Sequence, residues 1–150
     1  MSKRGQRIAL MEKLLTHLKN SKLEYLKAAD QANASEEKRF FNKQALLRNR
    51  FFQEVLSELQ TLGLTYDDLI ISRFNFDQLL ISSIDTLKAT ALEKCLQADQ
   101  MLIALYGEFF ESLNENEKFL LHVETLETAV SKNQSLVMDY SIKKDLPSNF

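Results

Sequence analysis

Residues 8–29 read IALMEKLLTHLKNSKLEYLKAA, and residues 92–109 read LEKCLQADQMLIALYGEF. In the first stretch Ile8, Met11, Leu15, Leu18, Lys22, Tyr25 and Ala29 step by threes and fours. In the second, Leu92, Cys95, Asp99, Leu102, Tyr106 and Phe109 do the same. That spacing is the buried face of an amphipathic helix. Each stripe is interrupted near its middle by one ionisable residue, a lysine in the first and an aspartate in the second. A helical bundle places its chemistry at such interruptions, so Lys22 and Asp99 are the candidate site residues.

The rest of the chain continues the helical pattern. Three glycines and one proline, Pro147, are present in 150 residues, so helix breakers are almost absent before the C-terminus. No run alternates with period two, which leaves strands without support. The spacing predicts a first helix from near Ser2 to Ala32 and a break at Asn33-Ala34. Ser35 is then the expected N-cap, with Glu36 and Glu37 in the first turn, where carboxylates suit the positive helix end. A second helix is expected to reach about Leu62 and stop at Gly63. Residues 65–83 are less regular, and Thr65 with Asp68 reads as a capping pair. This stretch is expected to form a partly helical crossover, which lets the third helix start at the same end as the second. Ser83 or Asp85 is expected to cap the third helix, which runs to about Leu113. Asn114 to Glu117 reads as a tight turn with a capping box before a fourth helix ending near Tyr140. The expected organisation is a single domain over residues 1–140 and a mobile tail over 141–150.

Composition narrows the function. Hydrophobic residues make up 45% and charged residues 27%, as in an ordinary globular protein. The single cysteine, Cys95, allows no intramolecular disulfide and no multi-cysteine metal site. No apolar run approaches the ~18 residues of a membrane span, and the basic N-terminus is followed by no signal-peptide core. A cytoplasmic protein with no membrane partner is expected. Through Leu62 there are twelve Lys/Arg against seven Asp/Glu, and beyond it seven against fourteen. The basic residues of the first half are interspersed with acids at helical spacing and lack any aromatic stacking pattern, so nucleic acid is not an expected partner. Two oppositely charged hairpins instead favour packing within the chain or between two copies, and a homodimer is expected.

Several stretches together carry a resemblance: Leu18-Lys19-Asn20-Ser21 through Tyr25, Ala28-Ala29-Asp30, Phe41 through Arg48 with Phe51, and Leu62-Gly63. Arg73 and Phe76 in the crossover and Cys95 with Tyr106 complete it. They resemble the bacterial ferritin-like four-helix-bundle domain family of unknown function, over about Met11 to Leu113. The resemblance implies an all-α, ferritin-like four-helix bundle and no assigned activity. Ferritin-like di-iron proteins use a Glu from each of two helices and a Glu-x-x-His from each of the others. Here the only histidines, His17 and His122, are preceded at the third position by Leu14 and Phe119. Aligned on the family, the ligand positions fall near Lys22, on Leu47 and Arg50, and near Asp99, of which only the aspartate can bind a cation. Two arrangements are open: Lys22 and Asp99 meet in the core as an ion pair where a metal would stand, or Lys22 runs out along its stem to the surface and Asp99 sits at the edge of its stripe.

No other chemistry is evident. His17 lies beside the main stripe of the first helix, and His122 is two and five residues from Glu124 and Glu127, spacings that do not converge on one face. No phosphate loop, dinucleotide fingerprint or nucleophile elbow occurs. The phenylalanine pairs 40–41, 51–52 and 109–110 point about 100° apart within each pair and suit core and interface packing. The function expected is that of a non-catalytic structural or interaction protein without metal or cofactor. The alternative is a metal-binding or redox bundle with a degenerate ferritin-like site.

Overall fold

The computed structural model describes residues 3–69, 90–112 and 116–145. Among them are four long α-helices and no strand: α1 (Lys3–Gln31), α2 (Ser35–Thr61), α3 (Ala91–Ser112) and α4 (Glu117–Asp145). An all-α four-helix bundle is therefore the fold. At 1.5 Å per residue, the 29 residues of α1 span about 43 Å.

The helix ends follow local chemistry. Ala34 is extended (φ −85°, ψ 136°) and is the N-cap of α2, one residue before the expected Ser35. Its side chain gives no cap, so Glu36 and Glu37 provide the favourable charge at this end. At the other end Gly63 has φ +88°, a conformation that costs a Cβ-bearing residue energy. The Gly63 N–H donates to the Gln60 carbonyl (2.9 Å) and the Leu64 N–H to Leu59 (3.3 Å), the paired bonds of a Schellman motif. The Thr65 N–H and hydroxyl both reach Asp68 Oδ2 at 2.9 Å, closing the expected capping pair around a short 3-10 turn, Tyr66–Asp68.

Three expected boundaries move. α3 begins at Ala91, not at Ser83 or Asp85, because the Thr90 hydroxyl accepts the Glu93 N–H (3.2 Å) and caps it. Asn116 rather than Asn114 caps α4, its Oδ1 accepting the Phe119 N–H at 3.3 Å. α4 continues to Asp145, so helix covers the first half of the stretch expected as tail. The expected crossover helices, with Arg73 and Phe76, the expected turn at Asn114 and residues 146–150 lie outside the described residues.

Near the start of α1, Arg7 and Met11 share a cavity with Thr61 and Leu62 at the end of α2, Phe109 at the end of α3 and Phe119 at the start of α4. So α1 and α4 run one way while α2 and α3 run the other. Two successive parallel helices require a return connection along the bundle. α1 packs along both α2 and α3, and α3 along α4, whereas α2 and α4 meet over only a short stretch.

The core has two apolar clusters. The larger is built from Leu10 through Leu18, Phe51 through Leu59, Leu102 through Phe109, and Phe119 with Leu126. The smaller holds Tyr25, Ala28, Ala29, Phe41, Ala45, Leu92 and Cys95. Between them on each helix lie the buried polar residues Ser21, Gln44 and Arg48, Asp99, and Asn133. No helix among the described residues is long and apolar enough to cross a membrane.

Candidate functional site

All four helices contribute to the polar layer, and i, i+4 spacing explains which side chains enter it. Ser21 and Tyr25 lie one turn apart on α1, and Gln44 and Arg48 one turn apart on α2. Asp99 comes from the α3 stripe and Asn133 from α4. Arg48 and Asp99 are both fully buried and form an ion pair, with Nη2 2.8 Å from Asp99 Oδ2 and Nε 3.3 Å from Oδ1. This is the two-pronged guanidinium–carboxylate contact that suits arginine and not lysine.

The remaining capacity of Asp99 is filled from α1. Ser21 Oγ donates to Oδ1 at 2.8 Å and Tyr25 OH to Oδ2 at 2.5 Å. Four donors therefore meet a carboxylate with about four lone-pair sites. Tyr25 OH in turn accepts from Asn133 Nδ2 at 2.7 Å, and Ser21 Oγ accepts from Arg48 Nε at 3.2 Å. Arg48 Nη1 donates to Gln44 Oε1 at 2.6 Å, and the guanidinium carbon lies 4.6 Å from the Tyr25 ring centroid. The ring face adds cation–π attraction where water is excluded. Burial, followed by the Asp99 charge, pushes the Tyr25 phenol well above its ordinary range, so the hydroxyl stays a donor. Burial also raises the Cys95 thiol, with Asp99 and Glu24 adding to it, which leaves an unreactive neutral sulfur.

Asp99 thus takes the expected central place, but its partner is Arg48 and not Lys22. Lys22 is half-buried at the surface, and its Nζ donates to Asn49 Oδ1 at 3.1 Å. The reason is geometric: from Leu18, steps of three and of four reach Ser21 and Lys22 respectively, and the helix turns Ser21 inward. The ligand positions expected on α2 shift likewise. Leu47 is half-buried and Arg50 is exposed, pairing with Glu54 at 3.0 Å, while Gln44, Arg48 and Phe51 face the centre. Arg48 was legible as an interruption of the stripe Phe41, Ala45, Phe51, Val55 and Leu59, with the same threes and fours that expose Asp99.

A ferritin-like metal pair does not fit these residues. Among the described residues no cluster of three or more His, Cys, Asp or Glu is placed to hold a metal ion. A guanidinium stands against the single central carboxylate, whose oxygens are already engaged by four donors.

A second buried polar group ties α2, α3 and α4 together closer to the other end. His122 stacks on Phe51 with ring centroids 4.0 Å apart. Its Nε2 lies 3.2 Å from Glu54 Oε2 and its Nδ1 2.8 Å from Tyr106 OH. Burial opposes ionisation of Glu54, but His122 and Arg50 outweigh it and hold the carboxyl below its usual range. An ionised Glu54 only accepts, so Nε2 carries the proton and Nδ1 accepts from Tyr106. Glu124 and Glu127 take no part, as their spacing implied. His17 lies half-buried on α1.

No family model, curated protein or solved structure matches the chain.

Proposed function

We propose that the chain is a ferritin-like bundle without di-iron ligands that acts as a non-catalytic structural or interaction protein in the cytoplasm. The observation carrying this reading is the saturation of Asp99 by Arg48, Ser21 and Tyr25 in a fully buried layer. The Asp99 carboxylate presents no open lone pair to a substrate or a metal ion, and the acceptor of the layer left without a hydrogen-bond partner among the described residues is the amide oxygen of the buried Asn133. The His122 group is similarly engaged on both ring nitrogens.

Self-association as a dimer belongs to the same reading. Large apolar side chains stand exposed on all four helices: Leu26 at 38%, Leu46 at 72%, Met101 at 52%, and Leu121 and Met138 at 61% and 65%. The opposite charge of the two halves supports pairing of copies.

Elemental analysis of untagged protein from cells grown with excess iron, manganese and zinc tests the central part. Well under one metal per chain is expected. Stoichiometric metal that disappears in Asp99→Asn contradicts it and favours a degenerate metal site. Light scattering tests the dimer, and a monomer mass across concentrations removes that element.

A further inference from the structure

The layer that neutralises Arg48 leaves a different cation, Lys22, without a carboxylate among the described residues. Along the outer seam of α1 and α2 runs a groove of about 330 Å³, lined by Leu18, Lys22, Asn49, Phe52, Leu56 and Tyr66 among others. Pockets that hold small molecules span roughly 300–1,000 Å³, are mostly apolar, and carry a few polar groups that fix orientation. This groove lies at the small end of that range and is more polar than most, with Lys19 and Gln53 beside Lys22 and Asn49 and an apolar side of Phe52 and Leu56.

The polar side carries two lysines, Lys19 and Lys22, with Asn49 and Gln53, and one contact fixes Lys22. Lys22 Nζ donates to Asn49 Oδ1, and among the described residues no carboxylate lies within ion-pair distance of it. An ammonium has three donors, of which that bond uses one. Asn49 also lines the groove, and its amide nitrogen carries two further N–H donors. Arg48 borders the groove but its charge is matched by Asp99 beneath. The apolar remainder comes from Leu18, Phe52 and Leu56, with the Tyr66 ring at the margin.

We infer that this groove binds a small amphiphilic anion: a flat apolar body, such as an aromatic ring system, bearing one negative group that sits against Lys22 and Asn49. The volume suits a small molecule rather than a docking helix. A negative group on its own gains only an exposed lysine, and an apolar body on its own leaves the lysine unmatched, so both parts are required.

The test uses the full chain and 8-anilinonaphthalene-1-sulfonate as probe, followed by calorimetry and by probe fluorescence. One saturable site per chain is expected, displaced by 2-naphthoate but not by equimolar inorganic phosphate. Lys22→Glu should weaken binding at least tenfold. Lys22→Arg should retain it within about threefold, as should Lys43→Glu, an exposed change on α2 that does not line the groove. Lys22 is at the surface, and unchanged circular dichroism with an unchanged thermal midpoint in each variant shows that the bundle is intact. Absence of saturation, several equivalent sites, or equal weakening by Lys22→Glu and Lys43→Glu overturns the inference. Displacement by phosphate as effective as by naphthoate also overturns it, because charge alone would then suffice.

Discussion

Replacing Arg48 with Met is expected to remove about 3–5 kcal/mol of folding stability, the usual cost of breaking a buried ion pair from one side. In the variant, Asp99 keeps the Ser21 and Tyr25 hydroxyls but loses Nη2 at 2.8 Å and Nε at 3.3 Å. Each hydrogen bond to a charged group contributes ~1.5–3 kcal/mol, so two of them give a loss of the same size. The stranded carboxylate has no water to turn to, since its residue is fully buried. Urea titration at pH 7, followed by far-UV circular dichroism, reads the effect. With a slope of ~1–3 kcal/mol per molar urea, the midpoint should fall by roughly 2 M at unchanged slope. Lys22→Met is the internal comparison and should stay within about 0.5 kcal/mol of wild type, as exposed changes do. The double variant Arg48→Met/Asp99→Leu should be more stable than Arg48→Met alone, because it removes the uncompensated charge. If Arg48→Met proves as mild as Lys22→Met, or Lys22→Met the more harmful, the assignment of the core pair is wrong.

Other perturbations probe separate parts of the structure. Tyr25→Phe removes the donor to Asp99 and the acceptor for Asn133, and should cost about 1–3 kcal/mol; an unmoved thermal midpoint contradicts that role. Burial holds the His122 imidazole below its ordinary value of 6.5, with Glu54 opposing it and Arg50 and Lys118 adding to it. As pH falls through 6.5 the unfolded chain therefore binds a proton that the folded chain does not, and stability declines. His17, lowered by burial and by Lys13, acts in the same direction. Glu54 contributes stability above its ordinary 4.5, which is lost only at more acidic pH. Urea midpoints measured between pH 7 and 5 should decline less steeply in His122→Gln, with His17 retaining part of the slope; an unaltered slope refutes the assignment. Thr90→Ala should cost about 0.5–2 kcal/mol through loss of the α3 cap, and a neutral result in the same titration would place the start of that helix elsewhere.

Much of the architecture could be read from the residues. The break before Ser35, the stop at Gly63 and the Thr65–Asp68 pair rest on local backbone chemistry, and each lies within a residue of its expected place. The start of α3 did not follow, because Ser83, Asp85 and Thr90 are all residue types that cap helices and spacing alone does not choose among them. At the centre, the stripe singled out Asp99 correctly. Its partner was missed for a reason of angle: three-residue and four-residue steps from Leu18 differ by one position, and one position on a helix turns a side chain by about 100°. Arg48 carried the right signal, a charge within an apolar face, but alignment on a metal-binding pattern directed attention to Leu47 and Arg50. The His122–Glu54–Tyr106 group joins residues as much as 68 positions apart, and no local spacing reports such a meeting.

The stratum of hydroxyl, amide and ionic groups between two hydrocarbon zones also acts on assembly of the chain. Suppose α3 docked one helical turn, about 5.4 Å, out of step along α1. Asp99 would then keep only one of its two α1 hydroxyls, since Ser21 and Tyr25 lie one turn apart, and would meet Leu18 or Ala28 in place of the other, while the purely apolar contacts would scarcely notice the slip. A bundle built of leucine and phenylalanine alone tolerates several such alignments of nearly equal energy. In this chain one slipped aspartate raises the energy of every misaligned docking by several kcal/mol, so the correct phase of four long rods is decided in a single cross-section.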